Sequence, residues 1–208
     1  MTARSDLRGK FDRFYPIVDS AVGVQRLADA GAKLIQLRMK DQSVDAVRAA
    51  IRASKAACTR VGALLVVNDF WQLAIEERCE LVHLGQSDLD GADVHAIRAA
   101  GLGLGISTHD LAELERALAF QPDYIALGPI YPTVLKKMPW GPQGAYRIAE
   151  WKHLVRGVPL VAIGGLTVER LPEVFAAGAD IAAVVTDIVR NPDPDRRIHE
   201  WLEATRGK

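Results

Sequence analysis

The sequence predicts a single-domain α/β protein, a (β/α)8 barrel. Three observations lead to that fold. Short apolar runs recur along the 208 residues, and each gives way to a stretch with apolar residues at helical spacing. The alternation repeats eight times, at about 26 residues per unit, a compact value for such a barrel. Runs such as Leu64-Leu65-Val66-Val67 do not alternate apolar with polar residues, the mark of parallel strands buried on both faces. A doubly wound open sheet is the rival fold, and it too would gather ligands at the carboxyl ends of its strands. Eight repeats favour the closed barrel.

A polar tail, residues 1–12, precedes the first strand, Phe14-Tyr15-Pro16-Ile17-Val18, which Asp19-Ser20 closes. Val24, Leu27 and Ala28 recur at helical spacing, and Gly31 ends that helix as a left-handed C-cap glycine does. The second strand runs from Leu34 to Arg38. Val44, Val47 and Ile51 mark a helix reaching about Gly62, and Leu64 to Val67 form the third strand, ending in Asn68-Asp69. A helix over Phe70 to Arg78 leads to the strand Leu81-Val82-His83-Leu84. Another, over Ala92 to Ala100, leads to Leu104-Gly105-Ile106. Leu111 to Phe120 is helical, Tyr124 to Leu127 is the sixth strand, and a long loop runs from Gly128 to Gly144. Ile148, Trp151, Leu154 and Val155 mark the next helix, and Leu160 to Ile163 the seventh strand. A helix around Val174-Phe175 stops at Gly178, Ile181 to Val185 is the last strand, and Ile198, Trp201 and Leu202 belong to a closing helix. Glycine or proline punctuates the strand starts, as at Gly62, Pro122 and Pro159. No linker or low-complexity stretch interrupts residues 1–208, so they read as one domain.

Lys plus Arg number 26, as do Asp plus Glu, for a formal charge of zero. A nucleic-acid footprint or a polybasic membrane patch is therefore not indicated, and any anion site must be local. Cys58 and Cys79 are the two cysteines; they lack metal-ligand spacing and suit small buried thiols in a reducing compartment. Met1 to Phe11 has no apolar segment of the signal type, and no apolar run approaches membrane-spanning length. A cytoplasmic location is expected, and a homo-oligomer is left open.

Barrels of this class build their sites at the carboxyl ends of the strands. On the second strand Gln36, Arg38 and Lys40 share one face, where two cations and an amide make poor core and a good anion cradle. The third strand brings Asn68 and Asp69, the fourth Gln86 and Asp88, the fifth Ser107. Asp69 and Asp88 could share one magnesium ion, which one or two carboxylates usually hold together with water and phosphate oxygens. Helix N-capping is the competing role for each. The long loop offers Thr133, Lys136 and Lys137, with Met138 and Trp140 as lid or packing residues. Gly164, Gly165 and Thr186 fall where barrels often bind phosphate, after strands seven and eight. Two anion sites in one mouth imply two phosphorylated substrates, or one substrate with phosphates at both ends. His83, inside an apolar strand, reads as a satisfied core residue. His109 reads as a loop residue or a support, and His95, His153 and His199 as surface.

Six motifs in order resemble the thiamine-phosphate synthase family: Gln36-Leu37-Arg38-Met39-Lys40, Asn68-Asp69, His83 to Asp88, Gly105 to His109, Gly128 to Thr133, and Ala162 to Gly165. The likeness spans Tyr15 to Val189; each motif is weak alone, and their order makes the signal strong. The resemblance implies a TIM barrel and a transferase that joins hydroxymethylpyrimidine diphosphate to a thiazole phosphate, releasing diphosphate. By motif position, Gln36, Leu37, Arg38, Met39, Lys40, Asn68, Ser107 and Lys136 would hold the pyrimidine diphosphate. Arg38, Lys40, Ser107 and Lys136 would be the catalytic set, and Asp69 and Asp88 would carry magnesium. Thr133, Val134, Leu135, Gly165, Val185 and Thr186 would hold the thiazole phosphate.

Two positions depart from the family pattern. Thr186 replaces a serine and keeps a hydroxyl, whereas Leu135 replaces a threonine and removes a donor from the thiazole-phosphate side. Rival readings are a thiazole tautomerase-like isomerase of the same fold and a non-catalytic sensor of thiamine precursors. The isomerase has no need of the diphosphate cradle and carboxylate pair that this chain carries, and keeping that pair argues against the sensor.

Overall fold

A computed structural model of the chain describes residues 7–133 and 141–206. Eight parallel strands close into a barrel in sequence order. They are β1 Phe14–Val18, β2 Leu34–Leu37, β3 Leu64–Asn68, β4 Leu81–Leu84, β5 Gly103–Thr108, β6 Tyr124–Leu127, β7 Leu160–Ile163 and β8 Ile181–Val184. The ring shuts where Phe14 of β1 lies opposite Ala182 of β8, while Ile17 on the other side faces Gln36 of β2. That closure removes the open-sheet alternative.

The helices are α1 Ala21–Asp29, α2 Val44–Val61, α3 Trp71–Glu76, α4 Gln86–Leu89, α5 Val94–Ala99, α6 Leu111–Ala119, α7 Ala145–Leu154, α8 Leu171–Ala176, α9 Thr186–Val189 and α10 Pro194–Arg206. Polar side chains set several of their starts. Ser20, Ser43, Asp93 and Asp110 each accept a backbone N–H three residues on, satisfying one of the first-turn donors. Gly62 closes α2 at φ 66°, a conformation that costs glycine little. The short α4 and α9 follow β4 and β8 at the mouth, where the sequence suggests only strand ends. Four-residue helices are too brief to show a 3.6-residue period.

Strand parity sorts the side chains into two cores. One set, including Ile35, Leu37, Val67, Val82 and Leu104, packs outward against the helices. Trp151 and Trp201 anchor that layer, both fully buried, with Trp201 stacked on Phe14 at 5.7 Å between ring centroids. The other set, including Tyr15, Leu34, Val66, Leu81 and Tyr124, fills the barrel itself. The end of the supposed polar tail belongs to this inner core. Leu7 is 3% exposed, and the ring of Phe11 meets Tyr124 edge-on at 5.7 Å. The amino end of a barrel needs a cover, and this apolar pair supplies it from within a charged stretch.

Tyr124 crosses the barrel over β5, and glycine makes the room. A Cβ at Gly105 would lie 2.0 Å from Tyr124 Cζ. Gly105→Ala should therefore cost about 2–3 kcal/mol, the upper range for overpacking a core. A lowered denaturant midpoint with an unchanged slope would register it. Gly91→Ala, at a position with nothing within 4 Å, should stay within about 0.5 kcal/mol and serves as the control.

Candidate active site

A cavity of about 390 Å³ opens at the carboxyl ends of the strands. Gln36, Arg38, Lys40, Asn68, Asp69, Asp88, Ser107, Thr133, Gly165, Val185 and Thr186 all line it. Leu37 and Met39 do not. Strand parity turns their side chains the other way, Leu37 into the helix-side core and Met39 against it, which leaves only their backbone to face the site. Val134, Leu135 and Lys136, together with Lys137, Met138 and Trp140, lie outside the described residues.

On one side of the mouth, the charges interlock. Lys40 Nζ pairs with Asp69 Oδ2 across the ends of β2 and β3. Asp69 holds a left-handed backbone at φ 64°, which aspartate tolerates better than most residues. It does not cap α3, whose N-cap is Phe70 without a side-chain bond. Asp88 sits in the first turn of α4 and accepts the backbone N–H of Gly85, so capping accounts for part of its role. Its carboxyl is held above the usual range, by burial first and by the neighbouring Asp69 carboxylate second. Two carboxylates this close, one partly desolvated, fit a hard divalent cation that leaves further positions to water and substrate oxygens. Among the described residues no group of three or more His, Cys, Asp and Glu forms an all-protein cage. The guanidinium of Arg38 makes no hydrogen bond or ion pair among the described residues and faces the same cavity.

The opposite side is built from backbone. Gly164 and Gly165 hold φ 98° and 66°, and a Cβ on either would fall 2.6 Å from Pro129 Cα or 2.5 Å from Pro132 O. Glycine is required here twice over, for the left-handed turn and for the approach of the loop after β6. That loop runs beside β7, with Ile130 N–H donating to Ile163 O and Tyr131 N–H to Gly164 O, both at 3.0 Å. Gln143 pins its far end, donating from Nε2 to the carbonyls of His109 and Gly128 at 2.8 and 2.9 Å.

Beneath the mouth lies a hydrogen-bonded cluster whose two tyrosines the sequence did not single out. Tyr15 and Tyr124 hydrogen-bond at 2.7 Å, and His83 bridges Tyr124 and Ser107 through its two ring nitrogens, each contact at 2.8 Å. His83 is thus buried and satisfied, as expected, and also lines the cavity. Gln86 supports the same wall by donating to Ser107 O at 2.7 Å. The available signal was inward parity, since a buried tyrosine hydroxyl needs a partner. His109 supports the rim, with its backbone N–H and Nδ1 both 2.7 Å from Glu113 Oε2.

A closed parallel barrel with a cation-bearing mouth at the carboxyl ends of its strands has the layout of a TIM-barrel enzyme. Residues 14–188 match the family model for thiamine monophosphate synthase. A thiamine-phosphate synthase of Rhizobium etli is 58% identical over 196 residues, covering 94% of this chain and 96% of the relative. A thiamine-phosphate synthase of Salmonella agona is 46% identical, covering 92% and 87%. The solved thiamine phosphate pyrophosphorylase of Pyrococcus furiosus shares the fold with a TM-score of 0.85 at 24% identity, over 96% of this chain and 98% of that one. The chain belongs to the thiamine monophosphate synthase family, whose enzymes are transferases. Among the described residues no helix is long and apolar enough to cross a membrane.

Burial, with the nearby Arg38 charge second, pushes the His83 imidazole from its ordinary 6.5 down to about 4. Between those values the unfolded chain binds a proton that the native state refuses, so stability is lost as pH falls through the window. The loss should reach roughly 3 kcal/mol. His83→Gln should flatten that acid limb in urea unfolding measured from pH 7 to 4.

Proposed function

We propose that this cavity binds hydroxymethylpyrimidine diphosphate against β2, β3 and β4 and the thiazole phosphate against β7 and β8. The observation that carries the reading is the two-sided mouth. One cavity has Arg38, Lys40 and the Asp69–Asp88 pair on one wall and Gly164, Gly165 and Thr186 on the other. Gln36, Asn68 and Ser107 supply neutral polar contacts for the pyrimidine end, and Lys136 joins them by its place in the family motif. Thr133, Gly165, Val185 and Thr186 surround the thiazole phosphate, and Val134 and Leu135 are assigned to it by their place in the family motif. Leu135, lacking the hydroxyl of the family's threonine, leaves that phosphate with one donor fewer.

In the reaction, the bond from the pyrimidine's methylene carbon to its diphosphate oxygen breaks, and both electrons leave with diphosphate. The thiazole nitrogen then closes a carbon–nitrogen bond with its lone pair. Arg38, Lys40 and Lys136 meet the charge that grows on the departing oxygens, an electrostatic role set before the reaction begins. Asp69 and Asp88 would hold magnesium, which supplies Lewis-acid neutralisation of the diphosphate. The aminopyrimidine spreads the positive charge left on carbon, so no protein nucleophile is required. The balanced charge and two free buried cysteines support a cytoplasmic enzyme that works on small molecules, apart from nucleic acid and membrane.

Purified protein given both substrates should form diphosphate and thiamine phosphate in equal amounts, and only with magnesium. Diphosphate without thiamine phosphate would contradict the two-site reading. Arg38→Ala should lower the rate by a factor on the order of 10². Turnover near that of the unaltered enzyme would remove Arg38 from the mechanism.

A further inference from the structure

Five side chains form one unbroken hydrogen-bonded chain through the barrel. Gln36 Nε2 donates to the Tyr15 hydroxyl at 2.7 Å, and the Tyr15 and Tyr124 hydroxyls are 2.7 Å apart. The Tyr124 hydroxyl lies 2.8 Å from His83 Nδ1, and His83 Nε2 lies 2.8 Å from Ser107 Oγ. Tyr15, Gln36, Tyr124 and His83 are all buried, at 1%, 2%, 0% and 8% exposure. Water therefore offers them little alternative pairing.

Donor counting gives the chain a direction. An amide nitrogen only donates, and each phenol has one proton. Tyr15 accepts from Gln36 and has Tyr124 as its remaining partner among the described residues, so its one proton falls to Tyr124, whose own proton then goes to His83 Nδ1. A neutral imidazole that accepts at Nδ1 carries its proton at Nε2. Ser107 Oγ accepts that N–H, leaving the serine proton to point elsewhere, and Ser107 lines the cavity.

We infer that this chain locks His83 as the Nε2–H tautomer and thereby makes Ser107 a hydrogen-bond donor to the substrate, with Tyr124 and His83 as positioning residues. The inference rests on the reading that the pyrimidine substrate, whose ring nitrogens and phosphate oxygens are acceptors, occupies this wall. A partner on each ring nitrogen holds the buried imidazole in one orientation. A reversed Gln36 amide would invert every link and turn the Ser107 proton back onto His83. The polarity set at β2 thus reaches the hydroxyl at the end of β5. The Ser107 carbonyl is separately held by Gln86 Nε2 at 2.7 Å, so the backbone carrying the hydroxyl is fixed as well.

Long-range 15N–1H spectra of the substrate-free protein, with the His83 signals assigned by comparison with His83→Gln, read the tautomer directly. A pyrrole-type Nε2 beside a pyridine-type Nδ1 is expected. An Nδ1–H tautomer, or signals averaged between the two, would overturn the inference. Tyr124→Phe keeps the ring and removes the phenol O–H that donates to Nδ1. It should give averaged signals and lower kcat on the order of 10-fold, with KM for the pyrimidine substrate nearly unchanged. Unaltered signals and kcat in that variant would also overturn it. Because the spectrum needs no substrate, a protein inactive in the coupled assay but showing Nε2–H would fail the functional reading alone. An active enzyme showing Nδ1–H would fail this inference alone.

Discussion

Closure of the barrel on strands with a two-residue side-chain period is the constraint on which the rest depends. Once β1 pairs with β8, every inward residue near a carboxyl strand end is delivered to the same small space. Gln36, Asn68, His83 and Ser107 come from four strands and meet in one cavity because each occupies an inward register. The same parity removes Leu37 and Met39 from it. A one-residue slip in β2 would exchange Gln36 for Leu37 and empty the mouth of its amide.

Stability and function pull against each other at this mouth. The burial and the Asp69 charge that push the Asp88 carboxyl up from its ordinary range are a cost to the folded state. So is a left-handed aspartate at Asp69. Capping by Asp88 and the Lys40–Asp69 pair offset part of these costs, which are expected where a cation and a polyanion are to be bound. The outer core absorbs them, with Trp151, Trp201 and their neighbours packed beyond the reach of solvent.

The barrel could be read from the chain because its strands are continuous apolar runs with glycine or proline between units; β1, β4, β6 and β7 have the expected limits. The mouth could be read in outline because charged residues stand out after apolar runs. What stayed hidden was of two kinds. Helices α4 and α9 are too short to carry a period, and Leu7 with Phe11 acquires meaning only when the barrel floor exists to be covered. Tyr15 and Tyr124 read in the sequence only as strand residues, since their roles depend on hydroxyls meeting across 109 residues of sequence. The resemblance carried by six short motifs named the family before any geometry was known, but it could not distinguish inward from outward side chains within Gln36 to Lys40.

On the proposed reading, one mouth holds two separate anion sites. Backbone amide NMR shifts in the unaltered protein test it most directly, with inorganic phosphate in one titration and magnesium with inorganic diphosphate in another. Magnesium diphosphate should move the amides around Arg38, Asp69 and Asp88, and phosphate should then move those of Gly164, Gly165 and Thr186. Both ligands moving a single shared set, or neither moving any residue of the mouth, would contradict it.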